Sequence, residues 1–362
     1  MRALAAAMAV GAASLAARQR LWNRRAIDLE GRVVLITGGS RGLGLELARV
    51  FADEGARLAL LARDLDALER ARAEIAARGA ETDVFACDLR DPDQIDRSVS
   101  SVLSRFGTVD ILVNNAGVIL GSPLDHLGEE DFEEEMDVHF RAPLRLTRAL
   151  IPVLGRRGEG RVVQIASIGG LVAVPHLLPY SASKFALVGL SDGLRAELSG
   201  SGIRVTTVCP GLMRTGSHVN AWFKGRHKAE FTIFALLGSS PLTSMDAEPA
   251  ARRIVEACRR GEPFLVLGFP ARALRLAATL APSFYAEINS WVARRLPGPA
   301  GPEGDQRKRG RDSSTVLAPS ILTRLADRAA ERNNEMTRPE SEVGEGAARA
   351  PRCNGQAEGS ML

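Results

Sequence analysis

The chain has 362 residues, 45% hydrophobic and 25% charged, the composition of an ordinary soluble globular protein with one main domain and extensions. Its net charge of +4 is small for this length and its basic residues are dispersed, which argues against nucleic-acid binding. Cys87, Cys209, Cys258 and Cys353 lack the close pairings of a thiolate metal site, so they read as reduced thiols and no metal is expected.

Residues 1–27 contain five arginines and no acid, with an apolar or small-residue stretch from Ala3 to Ala17. Fifteen residues rising about 1.5 Å each fall short of a hydrocarbon core of roughly 30 Å. The segment reads as a short membrane-surface helix or weak anchor, with a cleaved signal peptide and a plain disordered arm as competing readings. If it inserts, the excess of Arg18, Arg20, Arg24 and Arg25 over Arg2 puts the following domain on the cytoplasmic side, and a cytoplasmic location is expected either way.

From Gly31 onward, residues 32–37, 57–62, 83–87, 109–113, 161–166, 203–208 and 264–267 read as strands, alternating with helical patterns at 43–54, 64–78, 92–106, 130–155, 180–200 and 247–260. Val33, Val34, Leu35 and Ile36 are apolar without alternation, as in a strand covered on both faces. The pattern predicts a doubly wound parallel α/β sheet of about seven strands with helices on both faces, within a domain spanning 28–270. Residues 271–296 mix Leu, Ala, Phe, Tyr and Trp with arginines and read as a helical extension suited to a lid, a subunit contact or a membrane-facing surface. Beyond Leu296 come Pro297, Pro299, Pro302 and the basic run Arg307, Lys308 and Arg309, so 297–362 is expected to be mostly disordered, with a short helix around 318–332.

The first strand runs into Thr37, Gly38, Gly39, Ser40, Arg41, Gly42, Leu43 and Gly44 before a helix begins. Glycines at 38, 42 and 44 allow unusual torsions and bring backbone N–H groups and a helix N-terminus close to a pyrophosphate; a ligand-free glycine-rich turn is the competing reading. The spacing departs from G-x-G-x-x-G but matches T-G-x-x-x-G-x-G, the pattern of short-chain dehydrogenases. The second strand ends Leu60, Leu61, Ala62, Arg63, with no carboxylate for a free ribose 2′-hydroxyl. A cation there suits a 2′-phosphate, hence NADP(H) rather than NAD.

Gln164, Ile165, Ala166 and Ser167 close a strand; Tyr180 follows thirteen positions later, preceded by Pro179, and Lys184 comes four residues on. Pro179 is a good helix starter, and Tyr180 and Lys184 share one helix face. A phenol with an ordinary pKa near 10 is a poor base, but a neighbouring ammonium and the positive helix end both favour the phenolate. Tyr180 can then exchange a proton with a substrate oxygen at ordinary pH. An isolated Tyr and Lys at this spacing also occur by chance on ordinary helices.

Across roughly residues 29–268 these motifs together resemble the short-chain dehydrogenase/reductase family, of its NADP-dependent type. The resemblance implies a Rossmann-like domain that interconverts a carbonyl and an alcohol by hydride transfer, with Ser167 bonded to the reacting oxygen and Lys184 also contacting the nicotinamide ribose. It places Arg41 where similar enzymes often carry a second basic residue, Asp88 and Leu89 at the adenine, and Asn114, Asn115, Ala116 and Gly117 beside the cofactor. Pro210, Gly211 and Thr215 would meet the nicotinamide carboxamide. One position departs from the pattern: His139 stands where the family usually has the Asn of a proton relay. A neutral His139 could hold the relay water, and protonation near its ordinary value of about 6.5 would interrupt it; a packing role is the competing reading.

The resemblance also assigns residues 216–245 to a substrate-covering lid, where Trp222, Phe223, Phe231, Phe234, Leu236 and Leu237 suit a lipophilic substrate or simply pack the lid onto the domain. Lys224, Arg226, His227 and Lys228 read as solvated rather than as contacts to an anionic group. The expected partners are a small carbonyl or alcohol and, by resemblance, further copies of the chain, with membrane-surface contact through the N-terminal segment. A non-catalytic NADP-binding redox sensor is disfavoured because Tyr180 and Lys184 are both retained, and a membrane-associated scaffold has only the terminal extensions in its favour.

Overall fold

The computed structural model describes residues 17–336. Parallel strands β1 (Val33–Thr37), β2 (Arg57–Ala62), β3 (Thr82–Ala86), β4 (Ile111–Asn114), β5 (Arg161–Ile165), β6 (Arg204–Pro210) and β7 (Phe264–Leu267) form one sheet in the order 7-6-5-4-1-2-3. The connecting helices are α1 (Gly42–Asp53), α2 (Leu65–Ala76), α3 (Pro92–Phe106), α4 (Glu129–Met136), α5 (Ala142–Leu154), α6 (Leu178–Glu197), α7 (His227–Ser239) and α8 (Ala247–Arg260). Val34 and Ile36 of β1 pack with α1, α2 and α8 on one face, while Val33 and Leu35 pack with α3 and α5 on the other. This is the doubly wound Rossmann-like arrangement, and the strand order reverses between β1 and β4. Ligands of such sheets bind in the crevice at the carboxyl ends of the strands flanking that reversal.

Local chemistry sets the helix ends. Asp91 caps α3 by accepting the Asp93 and Gln94 N–H groups, Pro92 opens it, and Gly107 closes it in the left-handed region. Asp246 and Gly261 do the same for α8. Helix α1 differs: Arg41 at its N-cap position gives no side-chain cap.

The helix expected over 130–155 is interrupted by a π-helical turn at Asp137–Arg141. Pro143 has no N–H to offer the His139 carbonyl, and the ladder widens so that the Ala142 N–H bonds the Asp137 carbonyl. This turn carries His139.

The chain is anchored before position 28: Ile27 is buried, its N–H donates to the Arg259 carbonyl at 3.1 Å, and Arg161 donates to the Arg25 carbonyl at 2.6 Å. Most of the proposed membrane-contacting stretch, residues 1–16, lies outside the described residues. Among the described residues no helix is long and apolar enough to cross a membrane. Helices α9 (Phe269–Leu280) and α10 (Pro282–Ala293) form the extension, and they leave Phe269, Leu276, Leu280, Phe284, Ile288 and Trp291 exposed.

The expectation of disorder after Leu296 is wrong for residues 297–336. Lys308–Arg309 pairs with Trp222–Phe223, which pairs in turn with Leu120–Gly121. Arg307 forms ion pairs with Asp131 and Glu134, and helix α11 (Arg324–Arg332) buries Ala326, Ala329 and Ala330. A charged, glycine-rich composition suggested solvation, whereas these charges find partners far away in sequence. Residues 337–362, with Cys353, lie outside the described residues.

Candidate active site

The glycine turn after β1 is stapled to the turn after β4. Thr37 Oγ1 accepts the N–H groups of Asn115 and Ala116, both at 3.0 Å, and Asn115 Nδ2 donates to the Thr37 carbonyl at 3.0 Å. Gly38 has φ 65°, and a Cβ there would stand 2.9 Å from Ala116 Cα; a Cβ on Gly44 would stand 2.0 Å from the Gly38 carbonyl oxygen. Only glycine permits this approach. The Gly38 and Gly39 N–H groups bond the Leu61 carbonyl, so the turn rests on the end of β2, just before the exposed Arg63. Ser40 and Leu43 are buried, and Arg41 is half-buried. The Asn333 carbonyl accepts the Gly42 N–H at 2.9 Å, and the Glu335 carboxylate lies over Gly42.

Strand β5 delivers Ser167 and the first turn of α6 delivers Tyr180. The Ser167 hydroxyl accepts the Gly169 N–H at 3.1 Å and is close enough to lower the Tyr180 phenol. Lys184 Nζ donates to the Ile165 carbonyl at 3.0 Å and lies 5.6 Å from the Tyr180 ring centre. Burial outweighs the serine contact and pushes the phenol up to about 12, against the expectation of a lowered value. Burial also brings the Lys184 ammonium down to about 8, opposed by the nearby Glu135. At neutral pH this arrangement holds a protonated phenol beside a cationic lysine.

His139 is fully buried, with its ring edge-on to Tyr180 at 5.4 Å. Its Nε2 accepts the Val118 N–H at 3.1 Å, so the neutral ring carries its proton on Nδ1, 2.8 Å from Ser183 Oγ and 3.0 Å from Glu135 Oε2. Ser183 Oγ in turn donates to the Tyr180 carbonyl at 3.0 Å. Both ring nitrogens therefore face protein partners, and His139 ties the π-helical turn to the start of α6 instead of holding a water. Sequence reasoning missed Glu135, which belongs to no motif, and Ser183, an unspecified position between Tyr180 and Lys184.

Burial, reinforced by the Lys184 charge, pushes the His139 imidazole well below its ordinary value. A loss of rate near pH 6.5 does not follow from an imidazole displaced in this direction, and a different pH dependence is expected. An unfolded chain takes up a proton on this imidazole as pH falls below about 6.5, while the folded chain does not, so stability drops there. The thermal midpoint of the wild type should fall more between about pH 7.5 and 5.5 than that of His139→Asn. Equal falls in the two proteins would contradict the buried neutral assignment.

Other expected positions fare differently. The Asp88 carboxylate accepts from the Arg90 side chain at 2.6 Å, which holds it below the ordinary range, and Leu89 packs against the core. Gly211 bonds the Leu267 carbonyl through its N–H, Pro210 ends β6, and buried Thr215 faces the glycine turn, 3.9 Å from where a Gly42 Cβ would be. The reading of Lys224 as solvated is wrong: it is buried, 2.6 Å from Asp131 Oδ2, and donates to the His126 carbonyl. His227 likewise faces Ser313 Oγ at 2.9 Å, while Arg226 and Lys228 are exposed. Phe223 meets Phe231 and Phe234 edge-on at 5.9 and 6.0 Å, and the three pack with Ala318, so these aromatics serve packing. Arg309, read as part of a disordered run, lies over Trp222 at 4.6 Å and is electrostatically coupled to Arg41 and Arg63.

The model of the short chain dehydrogenase family matches residues 32–224. Dehydrogenase/reductase SDR family member 7B from Bos taurus is 34% identical over 281 residues, covering 76% of this chain and 85% of its own length. A putative ketoacyl reductase from Streptomyces coelicolor is 39% identical over 188 residues, 51% of this chain and 72% of its own. Among solved structures, a short-chain dehydrogenase from Streptomyces avermitilis superposes with a TM-score of 0.62 at 32% identity, over 73% of this chain and 97% of that one. L-sorbose reductase from Gluconobacter frateurii, complexed with NADPH and L-sorbose, gives 0.60 at 29% identity over 67% and 96%. With its parallel sheet, glycine turn and Ser-Tyr-Lys cluster, the chain belongs to the short-chain dehydrogenase/reductase family of oxidoreductases.

Proposed function

We propose that the protein is an NADP(H)-dependent oxidoreductase that interconverts a carbonyl and an alcohol, with Tyr180 as the acid/base group. The observation that carries this reading is the convergence of Ser167, Tyr180 and Lys184 on one side of the crevice that the two stapled turns open. The putative ketoacyl reductase and the L-sorbose reductase, both named for reducing carbonyl compounds, favour the same reaction class.

The residues present fit a dinucleotide. Gly38 and Gly44 leave no room for a Cβ, and α1 begins without a side-chain cap, so its first N–H groups can receive phosphate oxygens once the Asn333 carbonyl leaves the Gly42 N–H. Arg41 and Arg63 would hold the 2′-phosphate, Asp88 and Leu89 the adenine end, and Asn115 to Gly117 with Pro210, Gly211 and Thr215 the nicotinamide end. When bound, the nicotinamide supplies or accepts the hydride. Tyr180 Oη gives its proton to the substrate oxygen during reduction, the direction in which a phenol near 12 is already in its working form. Ser167 Oγ, anchored by the Gly169 N–H, is placed to donate to that oxygen. The Lys184 ammonium stabilises negative charge left on the phenol.

A lipophilic ketone, aldehyde or secondary alcohol remains the proposed substrate, with support from the half-buried Trp222 and Leu236 and the exposed Leu237 of the lid segment. The reading extends to membrane-surface contact through the N-terminal segment on the cytoplasmic face and to self-association. The uncovered apolar side chains of α9 and α10, interspersed with Arg272 and Arg275, offer a surface for either.

The test is consumption of NADPH or NADH with a panel of short and long-chain ketones, a ketose and an acetoacetyl thioester, followed by nicotinamide absorbance. Arg63→Ala should weaken NADPH by about 1.5 to 3 kcal/mol through loss of a charge-assisted contact, roughly ten- to a hundredfold, and leave NADH nearly unchanged. An equal effect on both cofactors would contradict the 2′-phosphate assignment.

A further inference from the structure

The glycine turn is shaped to take an anion, and in this structure the chain's own C-terminal segment brings one to it. Helix α11 leads into Asn333, Asn334 and Glu335, each of which is bonded to the crevice. The Asn333 carbonyl takes the Gly42 N–H at 2.9 Å, Asn333 Oδ1 accepts from Arg49 Nη1 at 2.9 Å, and its Nδ2 donates to the Thr215 carbonyl at 3.3 Å. Asn334 Nδ2 donates to the carbonyls of Ser40 at 2.8 Å and Ala67 at 3.0 Å. The Glu335 carboxylate accepts from Asn220 Nδ2 at 2.6 Å, lies 3.7 Å from Arg41 Nε, and has Oε1 2.7 Å from where a Gly42 Cβ would be. Its side chain is only 6% exposed.

We propose that residues 333–335 are a built-in plug, in which the Glu335 carboxylate and the Asn333 backbone occupy the pyrophosphate cradle, so that cofactor enters only when the segment 324–336 is released. The proposal rests on the dinucleotide reading of the crevice. It also explains details which that reading does not require. Gly216, with φ 89°, stands where a Cβ would lie 2.3 Å from Ala330 Cα, so the surface under α11 is cut to receive it. Arg332 pairs with Glu46 at 3.3 Å and Asp246 at 3.0 Å, His218 faces Asp327 at 3.3 Å, and the Ala326 N–H donates to Ser239 Oγ. These contacts span the glycine-turn helix, the lid segment and the 210–220 loop, which are the walls a dinucleotide would share. Arg41, proposed for the 2′-phosphate, is held meanwhile by Glu335.

A plug that must leave reduces apparent affinity by the fraction of molecules that are open. Calorimetric titration of the full chain with NADPH should therefore show Glu335→Ala binding about tenfold or more tightly than the wild type, and Arg328→Ala, altered on the exposed face of α11, binding like the wild type. Hydrogen exchange of the wild type supplies a second readout free of any folding defect: saturating NADPH should protect amides of the glycine turn while exposing those of 324–336. Equal NADPH affinity in wild type and Glu335→Ala, or a segment 324–336 that NADPH leaves protected, would overturn the plug and leave the cofactor site standing. Failure of both NADPH and NADH to bind any of the three proteins would overturn the proposed function and the plug with it.

Discussion

Tyr180→Phe should lower kcat by about a hundred- to ten-thousandfold, the range for losing a positioned proton donor. The substitution keeps the ring that His139 meets edge-on and removes only the hydroxyl near Ser167. Fold and dinucleotide affinity should be nearly untouched, because neither the glycine turn nor its staple to Asn115 involves the phenol. Cofactor fluorescence titration beside the reductase assay separates the two effects. Residual turnover near the wild-type level would remove Tyr180 from its proposed role, and lost cofactor binding would assign it a structural one.

Gly44→Ala should be the most damaging single methyl group at this site. The added Cβ would sit 2.0 Å from the Gly38 carbonyl oxygen and 2.7 Å from Asn115 Nδ2, both parts of the stapled turn. Neither can retreat without breaking the contacts among Thr37, Asn115 and Ala116. Overpacking of this kind costs about 1–3 kcal/mol and sometimes more, and here the strain falls on the backbone proposed to face the phosphates, so NADPH affinity should drop with stability. Gly189→Ala is the matched control: on α6 nothing lies within 4 Å of its Cβ position. There an alanine should stabilise by about 0.4–1 kcal/mol. Urea denaturation of the two variants gives the comparison, and a Gly44→Ala protein as stable as the wild type would contradict the close approach.

The fold was legible because its signals are local. Val33 to Ile36 carry no polar residue to mark a solvent face, and the glycine turn announces the first crossover within eight residues. Tyr180 and Lys184 could be paired on the arithmetic of one helix. Residues whose meaning depends on a distant partner were misread. Lys224 resembles a solvated lysine until Asp131 is placed against it, and Arg307 resembles a disordered tail until it meets the same carboxylate. His139 was read as a relay position; the structure sets it against Tyr180 and Ser183, and its titration follows from burial and from Lys184, neither of which the local sequence displays. Phe223, Phe231 and Phe234 have the composition of a substrate wall, and only the edge-on contacts of Phe223 with the other two show them packed together. Asn333 and Glu335 offered no motif at all, and their contacts with the glycine turn appear only in the structure.

The central claim, carbonyl chemistry driven through Tyr180, is tested most directly by isotope transfer. NADPH carrying deuterium at nicotinamide C4 is incubated with whichever ketone of the panel is consumed, and the alcohol is analysed by mass spectrometry for wild type and Tyr180→Phe. Deuterium on the carbinol carbon with the wild type, and almost none with Tyr180→Phe over the same time, is the predicted result. Equal transfer by the two proteins, or an alcohol carrying no label, would contradict it.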